Sequence, residues 1–162
     1  MKAPNALKPT GDRMTPESIE VIQVGALSVW FVVEPPDSCG SASVFECFVP
    51  ADSEMPAPHS HDAFEETIYG LEGITSWTVD DRKLDIRPGE TLCLPRGAVH
   101  GFDNHGTEDA SFLAICSPGL MTPDYFREID EVLPSTPDTP PDMASVAEVL
   151  RRHGMTPALP VG

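Results

Sequence analysis

The stretch Pro56-Ala-Pro-His59-Ser-His61-Asp-Ala-Phe-Glu-Glu66 carries the densest chemistry in the chain. In an extended strand successive side chains point to opposite faces, so His59 and His61 share one face and Ser60 takes the other. Two imidazoles can then converge on one point. A carboxylate five residues after His61 returns to that point if the chain turns and the next strand begins at Glu66, with Glu65 as its competitor. A third imidazole comes from a distance: His100 lies in Pro95-Arg-Gly-Ala-Val-His100-Gly-Phe, at the start of another strand. Three neutral imidazoles and one carboxylate form a nitrogen and oxygen set that suits one divalent ion of Fe, Mn, Ni, Cu or Zn and does not suit Ca.

Around this stretch the text is made of short apolar runs cut by turn residues. The runs are Ile19 to Gln23, Leu27 to Val33, Ser43 to Val49, Thr67 to Leu71, Ile74 to Val79, Lys83 to Ile86, Thr91 to Leu94 and Ser111 to Ile115. Pro35-Pro36-Asp37, Gly40, Pro50-Ala51-Asp52, Asp80-Asp81, Pro88-Gly89 and Asn104-His105-Gly106 separate them with turn chemistry. Short strands at this spacing predict an antiparallel all-β domain over residues 19–118, a two-sheet roll or barrel whose closure protects its edges.

Beyond Pro118 the pattern changes. Thr122-Pro123-Asp124 offers a cap, a proline at the first helical position and an acidic first turn, which predicts a helix over residues 123–133. The proline-rich linker Pro134-Ser-Thr-Pro-Asp-Thr-Pro-Pro141 cannot continue it, because its prolines lack the amide donor and restrict their neighbours. A second helix is expected over residues 143–153, with Val146, Val149 and Leu150 on one face, Arg151 and Arg152 in the last turn and Gly154 at the stop. Both helices of this 119–162 extension are expected on the outside of the barrel or at a dimer contact. Residues 1–18 mix Pro, Gly and charge without periodicity and read as an arm.

Composition excludes several partners. Ten Lys and Arg against 26 Asp and Glu leave a formal charge of −16, which repels nucleic-acid phosphates and anionic lipid headgroups. The first twenty residues contain no apolar run, and the longest apolar stretch, Val24 to Val33, is about half of what a bilayer needs. A cytoplasmic protein with no nucleic acid and no membrane as partner is the expectation. Cys39, Cys47, Cys93 and Cys116 form no C-x-x-C pair, and Cys47 and Cys93, in strand-like runs, read as buried small apolar residues.

The two motifs of the cupin superfamily, G(X)5HXH(X)3,4E(X)6G and G(X)5PXG(X)2H(X)3N, resemble this sequence closely. His59, His61, Glu66 and Gly73 match the first, with six residues between Glu66 and Gly73; Gly89, Pro95, Gly97, His100 and Asn104 match the second at every position. The one departure is Ser53, where the first motif opens on glycine. Only Glu66, and not Glu65, gives the spacing to Gly73. The resemblance implies a double-stranded β-helix of the cupin or jelly-roll type, a metal held by His59, His61, Glu66 and His100, and commonly a homodimer. It extends to single-domain bacterial proteins similar to quercetin dioxygenases, in which short C-terminal helices follow the barrel.

Such a site permits three classes of function. The first is a mononuclear dioxygenase acting on a small enolic or phenolic substrate, with Fe(II) the favoured ion and Glu66 both ligand and catalytic base. The second is Lewis-acid chemistry, as in an isomerase, lyase or decarboxylase; the third is a barrel that binds a small molecule without turnover. Against a phosphosugar stands the shortage of cations near the motif, where Arg82, Lys83, Arg87 and Arg96 mostly sit in turns. Phe64, Trp77 and Phe102 are candidates for the pocket wall or, equally, for plain core packing, whereas His105 and His153 are expected at the surface, apart from the metal.

Overall fold

Alternation of apolar and polar side chains builds the strands. In Ser43–Val49 every second residue, Ser43, Phe45, Cys47 and Val49, is buried, and in Thr75–Val79 the buried set is Thr75, Trp77 and Val79. A computed structural model describes residues 19–136 and 139–158 of the chain; the N-terminal arm expected over residues 1–18 lies outside them. The elements are β1 (Ile22–Val24), β2 (Leu27–Val33), β3 (Ser43–Val49), β4 (Ser53–Glu54), β5 (His59–His61), β6 (Glu65–Glu72) and β7 (Thr75–Val79). They continue with β8 (Arg82–Ile86), β9 (Thr91–Leu94), β10 (His100–Asn104), β11 (Ala110–Ser117), α1 (Pro123–Val132), α2 (Met143–Arg152) and β12 (Met155–Pro157).

The strands form two sheets, ordered β1-β2-β3-β11-β6-β9 and β12-β5-β10-β7-β8, with β4 beside β10. This is the expected all-β double-stranded roll, and every pairing in it is antiparallel. The inward faces of the two sheets enclose the core. One aromatic cluster, Trp77, Phe102 and Phe112, has ring centroids 4.9 to 5.2 Å apart; another, Phe31, Phe45 and Phe126, spans 5.1 to 5.9 Å.

Turns fix the register. Gly73 links β6 to β7 at φ +60°, and a Cβ there would stand 2.3 Å from the Asp109 carbonyl oxygen, so no other residue fits without moving backbone. Ser53, where the motif has glycine, is a strand residue paired with Asn104, and its hydroxyl donates to the Pro50 carbonyl at 2.6 Å. Asn104 closes the next turn: its amide donates to the carbonyls of Val49 and Glu108 at 3.0 and 2.9 Å.

The C-terminal extension departs from expectation in two respects. First, α1 does not simply coat the barrel. It packs on β1, β2 and α2, burying Tyr125 and Ile129, and contributes Tyr125, Phe126 and Ile129 to the wall of an internal cavity. Second, a strand follows α2. Asp142 caps α2 by accepting from the Ala144 amide at 3.1 Å, Val146, Ala147, Val149 and Leu150 face inward, and Gly154 at φ +73° reverses the chain. Met155–Pro157 then pairs with β5, setting Met155 opposite His61 and Pro157 opposite His59. The strand owes its existence to the open edge of β5, because Met-Thr-Pro alone carries no strand signal.

Candidate metal centre

His59 and His61 on β5 and His100 on β10 come from one sheet, and Glu66 on β6 from the other. His59 and His100 are register partners, so the three imidazoles stand side by side, and Glu66 faces them across the roll. All four are buried. Glu65, one position earlier, points outward and pairs with Arg96 at 2.9 Å.

Hydrogen bonds to backbone aim the rings. The Nδ1 of His59 lies 3.0 Å from the Ala57 carbonyl and that of His100 lies 3.0 Å from the Ala98 carbonyl. As donors to those carbonyls, both rings turn an unprotonated Nε2 toward the interior, the orienting role that backbone plays for metal-binding histidines. Gly97, at φ +79°, donates its amide to the His61 carbonyl at 2.9 Å and ties the loop before His100 to β5. Phe64 stacks on the His61 ring at 4.2 Å.

The donor set fits one divalent ion. One nitrogen from each of His59, His61 and His100 falls within 4.8 Å of the others, and the Nε2 atoms of His59 and His61 are 3.2 Å apart. Adjacent ligands about 2.1 Å from a common ion stand roughly 3.0 to 3.4 Å apart. Two nitrogen lone pairs meeting at that distance are unfavourable without a cation or a proton between them. Glu66 sits slightly further out, with an oxygen 3.7 Å from His100 Nε2 and 3.8 Å from His61 Nδ1. That His61 Nδ1 is itself buried with no hydrogen-bond partner.

Burial sets the protonation of the site. It lowers His59 to about 3, helped by His100, and His61 to about 2, helped by His59 and His100; His100 is lowered too, chiefly by burial. Burial pushes Glu66 up to about 8. At neutral pH the four groups are therefore mostly uncharged, and the close His–Glu contacts are not ion pairs. A divalent ion would reverse this by holding Glu66 ionised. Uptake at pH 7 should release close to one proton per ion, and affinity should climb with pH up to about 8; calorimetry in buffers of different ionisation enthalpy reads both. In the metal-free protein the folded value of Glu66 lies above its ordinary 4.5, so the stability it contributes is lost as pH rises toward 8. The imidazoles, whose ordinary value is 6.5, work in the opposite direction and only below it. The metal-free protein should thus lose on the order of 2 kcal/mol between about pH 6.5 and 8, and unchanged melting across that window would refute the burial of Glu66.

The four residues border a cavity of about 60 Å³ whose other walls are almost wholly apolar. Trp77 and Phe102 line it as expected; Phe64 does not, because it stacks behind His61. The sequence reading missed Met121, Tyr125 and Phe126, which bring the first helix of the extension into the wall. An amphipathic helix announces a buried face, but nothing in its spacing says whether that face meets core or cavity. No lysine or arginine of the described residues lines the cavity, and Arg82, Lys83, Arg87 and Arg96 are exposed. His105 is exposed as expected, but His153 is mostly covered: its ring packs 5.5 Å from that of Tyr125 and its Nε2 lies 3.3 Å from a Glu128 oxygen. Cys47 is buried, whereas Cys93 is exposed because the pleat of β9 turns it outward.

Comparison with known proteins agrees with the motifs. Residues 45–116 match the family model described as the cupin domain. Over 92 residues the chain is 34% identical to quercetin 2,3-dioxygenase of Bacillus subtilis, a match covering 52% of this chain but only 26% of that enzyme. An uncharacterized protein of Methanocaldococcus jannaschii is 33% identical over 91 residues, covering 56% of this chain and 68% of that one. Among solved structures, the polyketide cyclase RemF from Streptomyces resistomycificus superposes with a TM-score of 0.58 and 26% identity, over 65% of this chain and 78% of its own. No helix of the described residues is long and apolar enough to cross a membrane. With both motifs in place on a double-stranded β roll, the chain belongs to the cupin superfamily.

Proposed function

We propose that this protein is a mononuclear metal-dependent dioxygenase for a small enolic or phenolic substrate, with His59, His61, Glu66 and His100 holding the ion. The observation that carries the reading is a buried, uncharged three-histidine and one-glutamate set opening on an apolar cavity without cations. An apolar wall suits a substrate that binds through one or two oxygens and is otherwise hydrophobic. It does not suit a phosphosugar, whose charge would be left without a partner. The likeness to quercetin 2,3-dioxygenase supports the same class, although a cavity of about 60 Å³ favours small substrates.

A redox-active ion, Fe(II) by preference and otherwise Mn, Ni or Cu, would supply the coupling between the substrate anion and dioxygen. The chain supplies the rest. With the ion bound and Glu66 held ionised, its carboxylate would be the group placed to accept the enol or phenol proton; without the ion, burial keeps it protonated near neutral pH. Trp77, Phe102 and Phe112 exclude water from the resulting anion. The backbone-fixed imidazoles keep their orientation through the proton transfer.

The test is oxygen consumption. Protein reconstituted with Fe(II), and separately with Mn, Ni, Cu and Zn, is given pentane-2,4-dione or catechol in an oxygen electrode. Uptake of one dioxygen per product with a redox-active ion supports the proposal. Conversion that proceeds without oxygen and equally well with zinc would replace it by the Lewis-acid reading, which the likeness to a polyketide cyclase favours.

A further inference from the structure

We infer that the Tyr125 hydroxyl is a positioning group, donating a hydrogen bond to the oxygen or anionic end of a small molecule held in the cavity beside Glu66. The inference rests on the proposed metal site but not on the reaction assigned to it.

Beyond the four proposed ligands, the cavity wall offers few polar atoms. The Trp77 indole N–H is committed to the Thr75 hydroxyl at 2.9 Å, and the Cys47 thiol lies 4.0 Å from the Phe48 carbonyl. Tyr125 remains. Only 8% of it is exposed, it lines the same cavity as Glu66, and its hydroxyl has no hydrogen-bond partner among the described residues. A buried phenol ordinarily finds a partner. Tyr125 borders the cavity, so a molecule held there is within reach to supply the acceptor.

The hydroxyl is held in place and kept protonated. Its ring packs against Phe126 at 4.9 Å and against His153 at 5.5 Å, and Glu128 joins α1 to α2 through Arg152 at 2.7 Å. Burial first, and the Glu66 charge second, push its pKa upward, so the group stays a donor throughout the working range. Tyr125 also lies outside residues 45–116, which match the cupin model. The shared barrel thus carries the proposed ligands, and the extension of this chain adds the group that selects what binds beside them.

Azide is a suitable probe, since a triatomic anion fits about 60 Å³. Cobalt(II)-loaded protein is titrated with azide and followed by absorbance, in the parent and in Tyr125→Phe. The variant should keep one cobalt per chain and its melting temperature but bind azide about 10-fold more weakly or worse, the loss of one hydrogen bond to a charged acceptor. Tyr125→Leu should weaken azide no further. Equal azide affinity in Tyr125→Phe, or a parent that holds cobalt yet takes no azide, overturns the inference. So does a much larger loss in Tyr125→Leu, which would assign the effect to packing. A parent that takes up no cobalt overturns the metal site and the inference with it, and is seen before any azide is added.

Discussion

His59→Ala combined with His61→Ala is expected to abolish stoichiometric uptake of divalent metal and leave a folded β-protein. Both rings come from β5, whose three residues place them on the same face with their Nε2 atoms 3.2 Å apart. A complete four-ligand site binds zinc with about 10 to 16 kcal/mol, so losing two ligands should lower affinity by a factor on the order of 10⁴ or more. The strand survives because its hydrogen bonds are made by backbone. β5 pairs with β10 on one side and with β12 on the other, and Gly97 donates to the His61 carbonyl; none of these contacts uses an imidazole. The substitution also removes one orphaned buried nitrogen, His61 Nδ1, which offsets part of the lost packing. Metal analysis after dialysis, with circular dichroism on the same sample, decides the matter. Full metal content in the double variant would sink the site.

Phe112→Ala should be the most damaging single truncation in the core near the site. Phe112 is 2% exposed, projects inward from β11, and closes a three-ring cluster with Trp77 at 5.2 Å and Phe102 at 5.0 Å. Removing a buried phenyl ring costs about 3 to 5 kcal/mol, because the lost transfer free energy is joined by the cavity left behind. In a chain of this size that lowers the melting temperature by about 10 °C. The change also has a functional side. Phe112 lines the cavity, so truncation deepens it toward the roughly 150 Å³ at which an apolar cavity takes up benzene. Benzene should therefore raise the melting temperature of the variant and not that of the parent. A destabilisation below about 1 kcal/mol would mean that the cluster is not packed around this ring.

The strands were legible where a short apolar run is closed by turn residues. Leu27–Val33, Ser43–Val49 and Thr91–Leu94 fall where the pattern predicts, because such a run and its turns are local properties of the chain. Boundaries moved where neighbours extend a strand: β11 runs from Ala110 to Ser117, since it lies between β3 and β6 and pairs along both edges. Its expected span covered only residues 111–115. The strand expected from Ile19 starts instead at Ile22. Both helices of the extension begin at the expected residues, Pro123 and Met143, where a proline at the first position and the Asp142 cap mark the start.

By itself the sequence determined an all-β two-sheet roll from its apolar runs and turns, and its likeness to the two cupin motifs identified the clustered site residues. Both rest on short, fixed spacings, so that His59 and His61 share a face whatever surrounds them, and Gly73 and Gly97 stand where the backbone must turn left-handed. Tertiary structure alone decided the chemistry of the cavity. Whether Tyr125 or Phe126 faces solvent, core or ligand depends on how α1 docks on β1 and β2, about one hundred residues earlier in the chain. Glu66 is pushed up to about 8 because residues remote in sequence remove its water. Desolvation and the shape of a void are sums over every neighbour in space, and spacing along a chain does not encode them.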